Sequence, residues 1–88
     1  MRIQSMKSNR TGQAVANQFE IYADDGAVYF QSYQSIIAKK QAGVITLDAN
    51  KWDYSTTTGK YRNQFLGETK AETERKIKAG IYQLANLN

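Results

Sequence analysis

A change of pattern near the middle of the chain most constrains what it can fold into. Apolar residues alternate with polar ones over most of residues 15–48, which is the period of strands that bury one face. Residues 69–79 instead hold charges at helical spacing, because Glu72 and Glu74 each stand four positions before a lysine. The run from Trp52 to Leu66 separates the two patterns. Strands followed by helices indicate an α+β fold.

A hairpin over residues 15–33 is the clearest element of the first half. Asp25-Gly26 stands between two alternating runs, and this dipeptide favours a two-residue type I′ turn. The turn fixes which residues face each other, and it therefore divides the side chains between a core face and a polar face that carries tyrosines. The predicted pairs are Ile21 with Phe30 and Phe19 with Ser32 on the core face, and Tyr22 with Tyr29 and Gln18 with Tyr33 on the polar face.

Capping signals place two helices in the second half. The first is predicted to begin within residues 55–59, where several hydroxyl side chains can cap it, and to end at Gly67. The second begins with a capping box, in which Thr69 and Glu72 each bond the backbone of the other, and it stops at Gly80.

The predicted fold is an antiparallel sheet of four or five strands with two short helices inserted before the last strand. Strands over residues 35–40 and 44–48 join the hairpin, and residues 81–87 return to the sheet. Residues 13–88 form this single domain, whereas residues 1–12 form a flexible basic arm, because polar residues interrupt any periodicity there. The alternative is that Ile3 pairs with an edge strand. The predicted core consists of Phe19, Ile21, Val28, Phe30, Ile37, Ile45, Leu47, Trp52, Phe65, Ile77 and Leu84.

The composition excludes several kinds of chemistry. The chain has no histidine and no cysteine, which removes imidazole acid–base catalysis, thiolate nucleophiles and the commonest metal ligands. Thr58-Gly59-Lys60 fails as a phosphate loop, because Tyr54 stands at the first glycine position and Tyr61 at the hydroxyl position. The segment that starts at Asp48 fails as a calcium loop, since Gly59 replaces its closing glutamate. We expect no enzyme activity, no catalytic residue, no cofactor and no metal.

Tyrosines on the polar face of the hairpin, with two lysines nearby, are the first candidate binding surface. Aromatic platforms with flanking cations bind single-stranded nucleic acid, and a formal net charge of +4 favours a polyanionic partner. The alternative interpretation is that the helices cover this face and the tyrosines pack against them. The predicted nucleic-acid-binding residues are Tyr22, Tyr29, Tyr33, Lys39 and Lys40.

Aromatic and cationic residues around position 60 are the second candidate surface. Aromatic and arginine side chains dominate protein–protein hot spots, so this composition suits a protein partner. The alternative interpretation is packing of the helix on the sheet, with Trp52 as the main core residue. The predicted partner-binding residues are Tyr54, Lys60, Tyr61 and Arg62, of which Lys60 and Arg62 are expected to face solvent or the partner.

Targeting and membrane signals are absent from the sequence. No apolar run follows the basic N-terminus, and no stretch approaches the roughly 18–20 apolar residues that span a bilayer. We expect a soluble, cytoplasmic protein with no membrane partner. An exposed edge strand of a small sheet often pairs with a second copy, so we also expect a homodimer.

Several segments resemble a family of short uncharacterised proteins that bacteriophages and other bacterial mobile elements encode. The resemblance implies no activity and no site residues. It does imply a bacterial host cytoplasm, where such a protein binds nucleic acid or, as the alternative, inhibits a host defence or replication protein. The segments that carry it span nearly the whole chain beyond residue 12: Val15-Ala16-Asn17-Gln18-Phe19, Phe30-Gln31-Ser32-Tyr33, the run from Trp52 to Asn63, Phe65-Leu66-Gly67-Glu68-Thr69, and Leu84-Ala85-Asn86-Leu87-Asn88.

Overall fold

One six-stranded sheet and two helices make up the fold. The computed structural model describes all 88 residues. The strands lie in chain order, the first five antiparallel and the last parallel to its neighbour. The predicted α+β arrangement, with both helices before the last strand, is confirmed, and the sheet has six strands. The elements are β1 (Arg2–Lys7), β2 (Ala14–Tyr22), β3 (Val28–Ser32), β4 (Ser35–Gln41), β5 (Val44–Asp48), α1 (Thr56–Leu66), α2 (Lys70–Lys78) and β6 (Gln83–Ala85).

The sixth strand comes from the N-terminus. The prediction of a flexible arm over residues 1–12 is wrong for Arg2–Lys7, which pairs with β2 as β1. The register shifts between Ser5 and Lys7, and the intervening Met6 is buried in the core. Because this bulge interrupts the alternation of apolar and polar residues, the strand carries no clear period-two signal.

The β2–β3 hairpin adopts a different register from the predicted one. Its loop has three residues rather than two, because Ala23 N–H donates to the Ala27 carbonyl at 2.9 Å. Gly26 closes the loop with φ +89°, which places the glycine in the left-handed conformation typical of three-residue loops. The register therefore moves by one residue, so every β2 side chain lies on the opposite face from the predicted one, whereas the β3 side chains keep their predicted faces. The observed pairs are Gln18 with Ser32, Phe19 with Gln31, Glu20 with Phe30, Ile21 with Tyr29 and Tyr22 with Val28.

The helices begin and end where the capping signals place them. The Ser55 hydroxyl accepts from Thr58 N–H at 3.1 Å at the start of α1, and Gly67 ends that helix with φ +71°. Thr69 and Glu72 form the predicted capping box at the start of α2. Neither helix is long and apolar enough to cross a membrane.

The core lies between the helices and one face of the sheet. Phe30 of β3 stacks on Phe65 of α1 with ring centroids 5.7 Å apart. A second register shift, in β4, lets the consecutive residues Ile37 and Ala38 both enter the core. The predicted core positions Phe19, Ile21 and Leu84 are wrong: the first two lie on the opposite face, and Leu84 is 46% exposed. The buried apolar residues packed in this core are Met6, Phe30, Ile37, Ala38, Leu47, Tyr61, Phe65 and Tyr82.

Candidate functional site

The two faces of the sheet differ in what covers them. α1 packs on one face, where Ser32 Oγ lies 2.8 Å from Thr58 Oγ1 and Lys40 Nζ donates to the Phe65 carbonyl at 2.6 Å. Ile77 of α2 packs against the same core. Both helices therefore lie on one side of the sheet. The other side, which we call the open face, has no second layer of secondary structure.

A row of side chains crosses the open face from one edge of the sheet to the other. Successive cross-strand pairs join one residue from each of the six strands, and directly paired residues share a face. A second row lies beside it on the first four strands. The first row is Ile3, Ile21, Tyr29, Lys39, Thr46 and Gln83; the second is Ser5, Phe19, Gln31 and Ile36.

Two aromatic residues and a cation lie on neighbouring strands of the open face. Phe19 on β2 and Tyr29 on β3 are diagonal neighbours, a separation of about 7–8 Å between Cα atoms that large side chains can bridge. Lys39 Nζ lies 5.8 Å from the centroid of the Tyr29 ring. Neither row contains a carboxylate, and Asp48 at the end of β5 is buried, with its oxygens accepting from the Leu87 and Asn50 N–H groups.

Only two of the five predicted nucleic-acid-binding residues come together. Tyr29 and Lys39 share the open face, but Tyr22 and Lys40 point to the helix side, where Arg2 lies 4.3 Å from the Tyr22 ring centroid. Tyr33 occupies the turn between β3 and β4 with φ +56° and is 46% exposed. The prediction that the three tyrosines share a face is wrong, because the register differs by one residue.

The open face also carries apolar side chains that we predicted for the core (Phe19 and Ile21) or for the N-terminal arm (Ile3). Phe19 and Ile21 are half-buried there, and Ile3 of β1 is 57% exposed. If the hairpin loop had been read as three residues ending in Gly26, the sequence would have placed Phe19 and Ile21 on this face.

Around position 60, the structure separates the predicted partner-binding residues. Tyr54 is 44% exposed and Lys60 is exposed, whereas Tyr61 and Arg62 are buried. The prediction that Arg62 faces solvent or a partner is wrong. Its Nη1 donates to the Trp52 carbonyl at 2.9 Å, and the guanidinium lies 5.2 Å from the Trp52 ring centroid.

Asp53 compensates the buried charge of Arg62. One carboxylate oxygen lies 3.0 Å from Arg62 Nη1, and the other lies 2.7 Å from Lys70 Nζ at the start of α2. Burial alone would raise the pKa of Asp53, but the hydrogen bonds from Lys70 and Arg62 outweigh it and lower the pKa. The three residues therefore join the segment before α1 to both helices.

A second polar network surrounds Glu68 between the helices. The carboxylate accepts from Thr73 Oγ1 at 2.6 Å, from Lys76 Nζ at 2.7 Å and from the Tyr82 hydroxyl at 2.7 Å. Burial alone would raise the pKa of Glu68, yet these hydrogen bonds hold it below its usual value. Burial and the hydrogen bond to Glu68 raise the pKa of Tyr82. This network ties α2 to the segment that leads into β6.

We predict that the Glu68 network makes the protein less stable in acid. The folded-state pKa of Glu68 lies below the pKa of a glutamate in the unfolded chain, which is about 4.3. The network therefore stabilises the fold fully at pH values above about 4.3. The contribution is lost as pH falls through the folded-state pKa. The free energy of unfolding, measured with urea at about pH 7 and about pH 3, should therefore fall less in Glu68→Gln than in the wild-type chain. Glu74→Gln on exposed α2 is the matched control, and equal losses in Glu68→Gln and wild type would contradict the prediction.

Comparisons with known proteins identify a family. Residues 1–80 match a protein family described as a family of unknown function (DUF8033). No curated protein and no solved structure matches the chain. This match confirms the predicted resemblance to a family of uncharacterised proteins. It does not show a phage or mobile-element origin.

Proposed function

The chain belongs to a family whose function is unknown, and we propose from its surface that it is a non-enzymatic protein that binds single-stranded nucleic acid on the open face. The observation that carries this proposal is the pairing of Phe19 and Tyr29 as diagonal neighbours in the middle of an uncovered sheet. Sheet-borne aromatic side chains on neighbouring strands are a recurrent platform on which unpaired bases stack.

The charge distribution supports a polyanionic ligand on this face. Lys39 stands beside Tyr29, and neither row holds a carboxylate that would repel a phosphate backbone. Exposed Lys7 adds a cation at the β1 edge of the sheet. Because the face offers no hydrogen-bonding pocket for one base, we propose binding with little sequence preference, dominated by stacking and by contacts with phosphates.

Fluorescence anisotropy with labelled single-stranded and duplex oligonucleotides tests this proposal. We expect tighter binding to the single strand and an affinity that falls as salt rises. Tyr29→Leu should weaken binding roughly 5- to 150-fold, because a base–aromatic stack contributes about 1–3 kcal/mol. Tyr54→Leu, at an exposed tyrosine outside the open face, is the matched control. No binding at low salt, or equal affinity in wild type and Tyr29→Leu, would refute the proposal.

Aliphatic residues on the open face favour a second candidate function. Ile3 and Val44 are 57% and 46% exposed, and Ile21 lies between Ile3 and Tyr29. Apolar surface of this kind suits a protein partner. In the phage or mobile-element setting that we propose, the partner would be a bacterial host defence or replication protein. Partner capture that survives nuclease treatment and is lost in Ile21→Lys would favour this alternative.

A further inference from the structure

An open, polar cleft lies over the first turns of α1 and the start of α2, on a different part of the molecule from the open face. It has a volume of about 450 Å³, and no hydrophobic residue lines it. Gly59 lies on its wall, and Lys60, Arg62 and Lys70 bring three cations to it against the single carboxylate of Asp53. The lining therefore carries a net charge of +2.

The distribution of ion pairs leaves part of this positive charge uncompensated. Asp53 is shared between Arg62 at 3.0 Å and Lys70 at 2.7 Å, so one carboxylate faces two cations. Lys60 takes part in no salt bridge, and Arg62 Nε is buried without a hydrogen-bond partner. Asn63 Oδ1 accepts from Arg62 Nη2 at 2.9 Å, which leaves its amide N–H groups as donors beside the Thr56 hydroxyl. With this acceptor already paired, the cleft offers more donors than free acceptors, which suits an oxyanion.

Gly59 provides an independent indication that the cleft receives a ligand. It lies inside α1, where glycine is among the least favourable residues, and its φ is not positive. A Cβ at this position would meet Arg62 Nη2 at 3.6 Å and Asp53 Oδ1 at 3.8 Å, which are ordinary contacts. Neither the backbone nor the packing therefore requires glycine. Its missing side chain keeps open the space directly above the Arg62–Asp53 pair.

We propose that this cleft binds a phosphate-class oxyanion, either inorganic phosphate or the terminal phosphate of a small molecule. Lys60 and Lys70 contact its oxygens, and Gly59 lets it approach the helix. The site differs from a phosphate loop, in which backbone N–H groups surround the anion. Here Gly59 N–H is already bonded to the Ser55 carbonyl at 2.9 Å, so the contacts come from side chains.

Titration of the full ¹⁵N-labelled chain with inorganic phosphate, and separately with adenosine 5′-monophosphate, tests the proposal by NMR. Chloride at matched ionic strength is the reference. We expect saturable shifts of the Thr56, Gly59 and Asn63 amides with at least one of the two ligands, and the tighter ligand identifies the source of the phosphate. Lys60→Gln should weaken binding at least about 5-fold, whereas Lys78→Gln removes the same charge on exposed α2 and should leave it unchanged.

Gly59→Ala separates a binding role from a structural one. Alanine should raise the midpoint of thermal unfolding, because it favours the helix, and should also weaken oxyanion binding, because its methyl group occupies the cleft. Saturable shifts in wild type with loss in both Lys60→Gln and Gly59→Ala would support the site. Non-saturating shifts with both ligands, or unchanged affinity in Lys60→Gln, would overturn it. The readout is the Thr56, Gly59 and Asn63 amides of the cleft and not those of the open face, so a failed nucleic-acid titration leaves the test intact.

Discussion

Replacement of Arg62 by leucine should lower the free energy of unfolding by about 3–5 kcal/mol, a large share of the stability of a domain this size. Arg62 is 1% exposed and bonds both the Trp52 carbonyl and Asp53. The substitution leaves Asp53 with Lys70 alone and the carbonyl without its donor. Chemical denaturation monitored by the fluorescence of the single tryptophan measures the loss.

Two further variants test whether the loss of stability comes from the buried guanidinium. Arg75→Leu removes an exposed arginine from α2 and should change the free energy of unfolding by no more than about 0.5 kcal/mol. Asp53→Asn combined with Arg62→Leu should recover part of the loss, because it removes a half-buried carboxylate that has lost one of its two cationic partners. Equal effects of Arg62→Leu and Arg75→Leu would mean that the guanidinium faces solvent, as the sequence alone predicted.

Replacement of Phe30 by alanine should cost about 3–5 kcal/mol, whereas Phe19→Ala should cost about 1 kcal/mol. The reason is the hairpin register. Phe30 is fully buried against Phe65, while Phe19 lies on the open face. Urea denaturation of the two variants measures both losses in the free energy of unfolding, and the removed side chain is the same in each.

The comparison of these two phenylalanines discriminates between the registers. With a two-residue turn at Asp25-Gly26, both side chains would share the core face and both substitutions would cost several kcal/mol. A loss above about 3 kcal/mol in Phe19→Ala would therefore contradict the observed register and remove the open face as described.

The helix ends could be predicted from local sequence signals. The faces of the β2 side chains could not, because they depend on the length of one turn. Ser55, Gly67 and the Thr69–Glu72 box define helix ends through contacts within a few residues, so the sequence contains the whole signal. The loop at residues 24–26 offers two lengths that differ by one residue. Choosing between them depends on which side chains the helices cover, and that information is not local.

The candidate site was predictable only in part for the same reason. Tyr29 and Lys39 share a face in either register. Tyr22 lies instead on the helix side, and Ile21 takes its place opposite Tyr29, with Phe19 as the diagonal neighbour. Arg62 looked like a partner-binding residue because long cations are usually exposed. Its burial depends on Asp53 and Trp52, which the turn between β5 and α1 brings to it.

NMR mapping tests most directly the proposal that nucleic acid binds on the open face. A ¹³C,¹⁵N-labelled chain is titrated with a short single-stranded oligonucleotide at low salt. We expect saturable shifts at Ile21, Tyr29 and Lys39, which diminish as salt rises, with little change along α2. Shifts confined to the helices, or none at all, would contradict it.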